Sequence, residues 1–297
     1  MTQLYFAIPG DIETPTGGYS YDRRVLSLLP HYGIDVRHLP LPSGFPFPSE
    51  TELEETAEAL ASVPADAVVL IDGLAFGAIP PECLRGIPAP IIALLHHPLG
   101  LETGLDEAEK HRLLGSEKAA LRFARHIVVT SPATADTLQE LSFAPPPPIT
   151  VARPGTTPAE RASGGDEGIC EIISVGAVIP RKGHDVLVDA LAKLPHRGWN
   201  CTIAGSLDRD HDFVARLTHQ IADLGLRDHV HLTGALASEP LSENYRKADI
   251  FALPSRYEGY GMAFAEAVAH GLPIVAARAG AVPQTVPGDA ALLVEPD

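Results

Sequence analysis

Two glutamates with seven residues between them mark the chemically richest stretch of the chain, Pro254 to Ala277, PSRYEGYGMAFAEAVAHGLPIVAA. An apolar strand ends at Pro254, a loop carries Glu258, Gly259 and Gly261, and a helix follows with Glu266. Glycine lets a ligand come close to the backbone. The amides from Tyr260 to Ala263, at the helix start, can donate to a phosphate or sugar oxygen. Glu266 is flanked by Met262, Ala263, Phe264, Ala265, Ala267, Val268 and Ala269, and a carboxylate in such surroundings is costly unless it is hydrogen-bonded. The paired hydroxyls of a ribose would satisfy both oxygens. A surface carboxylate, or one bonded to a neighbouring helix terminus, is an equal reading of this helix taken alone.

Three further segments carry suitable residue types, each with a plainer alternative. In Ser174 to Leu191, SVGAVIPRKGHDVLVDAL, a strand ends at Gly176, a loop presents Arg181 and Lys182, and a helix begins near His184. Cations at that edge can neutralise a diphosphate; a solvated basic turn is the alternative, and the GxxxxGK[ST] phosphate loop is absent. Gly17 and Gly18 follow the first strand and open a helix. Without GxGxxG the dinucleotide fingerprint is missing, and an ordinary strand-to-helix turn would account for the pair. His96 and His97 stand at the carboxyl end of a strand in ALLHHPLG. Adjacent histidines point apart, which argues against one shared metal. It leaves a hydrogen-bonding or polarising role for one and an exposed loop position for the other. The DxD-like Asp208-Arg209-Asp210 reads as a turn and helix start, so no metal ligand is assigned.

Strand-like apolar runs alternating with helical patterns must position these residues. In the first half, strands are expected at 4–8, 34–39, 67–71, 90–95 and 126–130, and helices near 19–30, 50–62, 106–124 and 132–141. In the second half, strands are expected at 171–176, 200–205, 229–234, 249–254, 273–277 and 291–295, and helices at 183–194, 210–225, 241–248, 262–270 and 280–286. Short continuous runs of Val, Ile and Leu fit parallel strands covered on both faces, and strict alternation points to βαβ units. Between the halves lie Ala144 to Pro148, a short strand ITVA, and the polar stretch ERASGGDEG, a junction by composition. The expected architecture is α/β, with two Rossmann-like doubly wound domains, 1–152 and 153–297, facing a cleft, and with chemistry in the loops at the carboxyl ends of the strands.

Composition narrows the partners. The 297 residues include 22 Lys+Arg against 38 Asp+Glu, a formal net charge of −16. Residues 1–150 hold nine basic against 19 acidic residues, and 151–297 hold 13 against 19, so neither half is a footprint for nucleic acid or anionic lipid. The one local basic patch, Arg122, Arg125 and His126, reads as a solvated helix face. No apolar run reaches the length of a membrane span, and the N-terminus lacks the pattern of a signal peptide. Cys83, Cys170 and Cys201 are widely spaced and odd in number, as expected of reduced thiols in a cytoplasmic protein.

Taken together, these segments resemble the family 4 retaining glycosyltransferases, which have the GT-B fold. The resemblance runs over essentially the whole chain and is most specific in Glu258-x7-Glu266; PRKG, the GG turn and the short strand before RPG fall in the expected order. It implies that Glu266 binds the ribose of the nucleotide. Glu258 would contact hydroxyls of the donor sugar, with backbone amides from Gly259, Tyr260, Gly261 and Met262. Lys182 would hold the diphosphate, and Arg181 beside it would be a compensating cation where the family's second one is missing. Gly17 and Gly18 would bring backbone to the diphosphate, and His96 would lie near the donor sugar with His97 at the next, more variable position.

The implied reaction is metal-independent hexosyl transfer from a nucleoside diphosphate sugar, a co-substrate rather than a cofactor, to an acceptor hydroxyl on a glycan, lipid or small molecule. Two departures stand out. Ala177 follows Gly176 where the family has arginine, and the chain stops at LLVEPD where the family continues into further helices. A shortened form is therefore expected, with exposed apolar area on the second sheet and the underside of the first domain, and one that is weakly active, hinge-mobile or dependent on self-association. A sugar-nucleotide epimerase and a catalytically weak sugar-nucleotide-binding scaffold are the alternatives; the E-x7-E loop argues against the first, and Ala177 favours the second.

Overall fold

The computed structural model describes residues 3–102, 104–141, 147–165, 168–196 and 198–296. Within the expected junction, Ala144, Pro145 and Pro146 of the proline run and Asp166 and Glu167 of the polar stretch lie outside the described residues, as does Asp297 at the end of the chain. The chain divides into two compact units, Met1–Arg153 and Pro154–Asp297.

In the first unit the strands are β1 (Gln3–Pro9), β2 (Asp35–Leu41), β3 (Val68–Asp72), β4 (Ile91–Leu95), β5 (Ala124–Val129) and β6 (Ile149–Val151). Its helices are α1 (Gly17–Leu28), α2 (Glu50–Ala61), α3 (Gly73–Phe76), α4 (Pro81–Arg85), α5 (Glu107–Ala120) and α6 (Pro132–Glu140). The strands pair in parallel in the order β2-β1-β3-β4-β5-β6. Along β1, Leu4, Phe6 and Ile8 enter one core with Leu70 and Leu94, whereas Ala7 enters the opposite core with Ile71, Ala93 and Val129. Burial on both faces is why these strands read as continuous apolar runs.

The second unit contains β7 (Cys170–Val175), β8 (Trp199–Ala204), β9 (Val230–Gly234), β10 (Ile250–Leu253), β11 (Ile274–Ala277) and β12 (Ala291–Val294). Its helices are α7 (His184–Ala192), α8 (His211–Asp223), α9 (Ser238–Lys247), α10 (Met262–Ala269) and α11 (Val282–Thr285). The parallel order is β12-β11-β10-β7-β8-β9. One face packs Ile172, Cys201, Ile203 and Ala252 against α7 and α8, and the other packs Ile173, Phe251, Leu253 and Ile274 against α9 and α10. On β11 and β12, Val275, Leu292 and Val294 are exposed.

Each sheet reverses its winding once. In the first unit the switch lies between β1 and β3, and in the second between β7 and β10. The crevice outside the carboxyl ends of strands at such a point is where doubly wound folds take their ligands, because neighbouring loops there leave in opposite directions.

Three local expectations are corrected. The helix expected at 106–124 ends at Ala120, and the next strand starts at Ala124. Arg125 and His126 therefore sit on β5 and Arg122 in a short turn, so the three do not form one helix face. Helices α3 and α4, of four and five residues, were not expected, since neither is long enough to show a helical period. By contrast, Asp210 caps α8 through a 2.8 Å bond from the Phe213 amide, the helix start expected for the DxD-like string.

Candidate active site

At the switch point of the second unit the loops after β7 and β10 interlock. Gly183, with φ of 68°, closes the turn after β7, and any side chain there would collide with the Pro254 carbonyl oxygen at the end of β10. The Arg256 amide donates to the Arg181 carbonyl at 2.8 Å, and the Arg181 guanidinium donates back to the Tyr257 carbonyl at 3.1 Å. Arg256 also grips both oxygens of Asp185 at 3.1 Å. These crosslinks make the PRKG loop and the Glu258 loop one rigid wall.

Glu258 lies at its centre, 5% exposed. Lys182 Nζ donates to its Oε1 at 2.7 Å, Ser255 Oγ donates to the same oxygen at 2.7 Å, and Arg181 stands 3.8 Å from Oε2. Burial works to raise the Glu258 pKa, but the charges of Lys182 and Arg181 and the bonds from Lys182 and Ser255 outweigh it, so the carboxylate titrates below its ordinary range. Arg181, five positions beyond Gly176, thus reaches the same carboxylate as Lys182. Ala177 itself brings no charge to the wall.

Gly261, in the left-handed region at φ of 89°, turns the chain into α10, and Met262 begins the helix. Tyr260 is anchored by its hydroxyl, which donates to the Pro154 carbonyl at 3.1 Å. Four residues into α10, Glu266 is mostly buried, and the Tyr245 hydroxyl donates to its Oε2 at 3.0 Å. Burial raises the Glu266 pKa, and the bond from Tyr245 opposes that rise. Sequence reasoning missed Tyr245, which lies on a different helix.

The first unit gathers a second polar cluster at its own switch point. His96 follows β4, and its Nε2 lies 3.3 Å from Asp22 Oδ1 on α1 and 3.3 Å from Asp72 Oδ2 at the end of β3. Both carboxylates are buried. Against the opposing effect of burial, they raise the His96 pKa to about 10. Burial raises that of Asp22 to about 6. Asp72 Oδ1 accepts the Leu74 amide at 2.9 Å, and the Thr130 hydroxyl donates to the His96 carbonyl at 3.3 Å. Gly17 begins α1, capped by Thr16, and a Cβ at Gly18 would touch the His96 ring at 3.4 Å. His97 points elsewhere, with Nε2 3.1 Å from Glu102.

Two carboxylates that sequence reasoning did not single out thus lie beside His96. Asp22, Asp72 and His96 form, among the described residues, a group whose ligand atoms all lie within 4.8 Å of one another, close enough to share a cation. Asp22 and Asp72 escaped notice because they belong to elements far apart in sequence.

Comparison with known proteins bears on the second unit most directly. Residues 158–297 match the model of the glycosyl transferases group 1. Over 134 residues this chain is 34% identical to the GDP-mannose-dependent alpha-(1-6)-phosphatidylinositol monomannoside mannosyltransferase of Mycolicibacterium smegmatis, a match covering 43% of this chain and 34% of the relative. Over 276 residues it is 29% identical to the MMP alpha-(1->4)-mannosyltransferase of Mycolicibacterium hassiacum, covering 86% of this chain and 64% of the relative. The matches thus span about a third of the first relative and under two thirds of the second.

Among solved structures, the sucrose-phosphate synthase of Thermosynechococcus elongatus superposes with a TM-score of 0.82 at 20% identity, covering 99% of this chain and 86% of that one. HepE from Anabaena in complex with UDP and glucose superposes at 0.69 and 18% identity, covering 100% and 86%. These likenesses place the two units in the two-sheet α/β class of the GT-B fold. No helix among the described residues is long and apolar enough to cross a membrane.

Proposed function

We propose that the chain transfers a hexosyl group from a nucleoside diphosphate sugar to an acceptor hydroxyl, with retention at the anomeric carbon and without a metal ion. The observation that carries this reading is the Lys182–Glu258–Arg181 wall beside the α10 N-terminus, inside a group 1 glycosyltransferase domain. Glu266 would receive the ribose hydroxyls. Lys182 and Arg181 would hold the diphosphate; an ammonium has three donors and can serve Glu258 and a phosphate oxygen together. Glu258 would accept from sugar hydroxyls, and the amides of Gly259, Tyr260, Gly261 and Met262 would donate to oxygens of the donor.

In the first unit, the roles assigned are backbone contact to phosphate for Gly17 and Gly18 and a sugar contact for His96, whose orientation is set by Asp22 and Asp72. His97 is the variable neighbour. In the transfer step the anomeric C–O bond to phosphate breaks, the acceptor oxygen bonds to the same face, and the acceptor proton passes to the leaving diphosphate. Cations fixed at that diphosphate stabilise charge where it develops. His96, whose pKa the two carboxylates raise to about 10, would place a positive charge between them in the role a divalent ion could otherwise fill.

GDP-mannose is the first donor to test, because several relatives are named for it or for mannosyl transfer. The experiment measures GDP release with and without an acceptor panel and reads the anomeric configuration of the product by NMR. Acceptor-dependent release with retained configuration supports the proposal. Tight donor binding without release, across GDP- and UDP-sugars, would replace it with a sugar-nucleotide-binding role.

A further inference from the structure

Tyr245, on α9, packs into the core of the glycosyltransferase domain with 2% of its surface exposed. Its ring stacks on His270 at 5.0 Å and 13°, and lies near-parallel to Phe251 at 6.2 Å and 20°. An apolar ring would fill that space equally well. The hydroxyl is what needs a reason, since a buried polar group is a cost unless it is paired. It has two acceptors within reach, the Ala263 carbonyl at 3.3 Å and Glu266 Oε2 at 3.0 Å. It has one proton. The carboxylate is nearer and, when ionised, the stronger acceptor.

We propose that Tyr245 is a positioning residue for nucleotide binding, its hydroxyl fixing the rotamer and the ionised form of Glu266 so that the remaining carboxylate oxygen faces the ribose. This rests on the reading of Glu266 as the ribose ligand. A carboxylate bonded at one oxygen loses little further freedom on binding, and so wastes less of the interaction with the diol. Were Glu266 protonated, it would instead become a donor, and Tyr245 would turn to the Ala263 carbonyl.

Tyr245 is the side chain that acts on the Glu266 carboxyl. Strand β7, against which α9 packs, carries Cys170 and Glu171, the latter bonded by Asn200, and Arg161 lies against Gly271 just past α10. Strands β10 and β11 and helix α11 contain no ionisable side chain. On α9, Arg246 pairs with Glu243 and Glu160, and Lys247 pairs with Glu243, while Glu239 lies in the first turn. On α10 and its cap, His270 faces the Tyr245 ring and the Glu160 carbonyl.

The test uses the full chain and measures GDP and UDP affinity by calorimetry across a pH series for wild type, Tyr245→Phe, Glu266→Gln and the double variant. Phenylalanine keeps the ring stack and removes only the hydroxyl. Tyr245→Phe should weaken nucleotide binding about tenfold, the scale of one hydrogen bond to a charged group. Binding should also fail at higher pH on the acid side, because an unsupported Glu266 protonates sooner. The nucleotide's own phosphates titrate alike in every variant, so a difference between variants reports the protein. The double variant should bind no worse than Glu266→Gln. If Glu266→Gln weakens binding but Tyr245→Phe changes neither the affinity nor the acid limb, the inference is overturned while the ribose reading stands. Fully additive losses in the double variant overturn it too. If Glu266→Gln binds as wild type does, the ribose reading falls and takes this inference with it.

Discussion

Replacing Lys182 with methionine should destabilise the second unit by about 2–3 kcal/mol, because it strands Glu258 in a buried site. Methionine keeps an unbranched stem of similar length, so the change is chiefly electrical. Losing one partner of a buried ion pair costs about 3–5 kcal/mol when nothing else supports the charge. Here the loss is cushioned, since Ser255 still donates at 2.7 Å and Arg181 remains 3.8 Å away. For a unit of this size, about 3 °C of melting temperature per kcal/mol applies, giving a shift of roughly 6–9 °C.

The protein supplies its own probe. Its one tryptophan is Trp199 on β8, 5% exposed in the second unit, so fluorescence follows that unit alone. The acid side should move as well. A depressed carboxylate contributes stability that is present above its unfolded pKa and lost as pH falls through the folded one. In Lys182→Met burial gains the upper hand over the remaining partners, the folded pKa of Glu258 rises, and acid unfolding starts at a higher pH. A Trp199 transition unchanged in both midpoint and acid limb would show that the Lys182–Glu258 contact carries no energy.

Three further outcomes are expected. Glu266→Ala should weaken GDP or UDP binding far more than Glu258→Ala, because a ribose contact is ground-state binding whereas contacts to the transferred sugar act mainly in the transition state; equal dissociation constants for wild type and Glu266→Ala would refute the assignment. Added EDTA should leave transfer intact, whereas complete loss restored by Mg²⁺ or Mn²⁺ would assign Asp22, Asp72 and His96 to a cation instead. The first unit should lose stability as pH rises from about 6.5 toward about 10, since the raised His96 pKa contributes stability that is lost as pH climbs through the folded value. Calorimetry of wild type against Asp22→Asn checks this, and identical alkaline limbs would contradict it.

What could be read from the sequence was what neighbouring residues decide together. The runs that became β1, β7 and β10 were legible because strands buried on both faces must be apolar throughout. Lys182 after β7 and Glu258 and Gly261 after β10 were legible because strand-to-helix loops at the carboxyl edge are set by short stretches of chain. The direction of partnership was not legible. Nothing in the order of residues says that Lys182 and Arg181 both close on Glu258, that Asp22 from α1 and Asp72 from β3 meet at His96 Nε2, or that Tyr245 reaches across from α9 to Glu266. Those contacts join residues on different elements, brought together only when parallel pairing orders the strands as β2-β1-β3-β4 and β10-β7-β8. A buried charge takes its pKa from whichever groups the packing places within a few ångströms, and that geometry belongs to the tertiary structure.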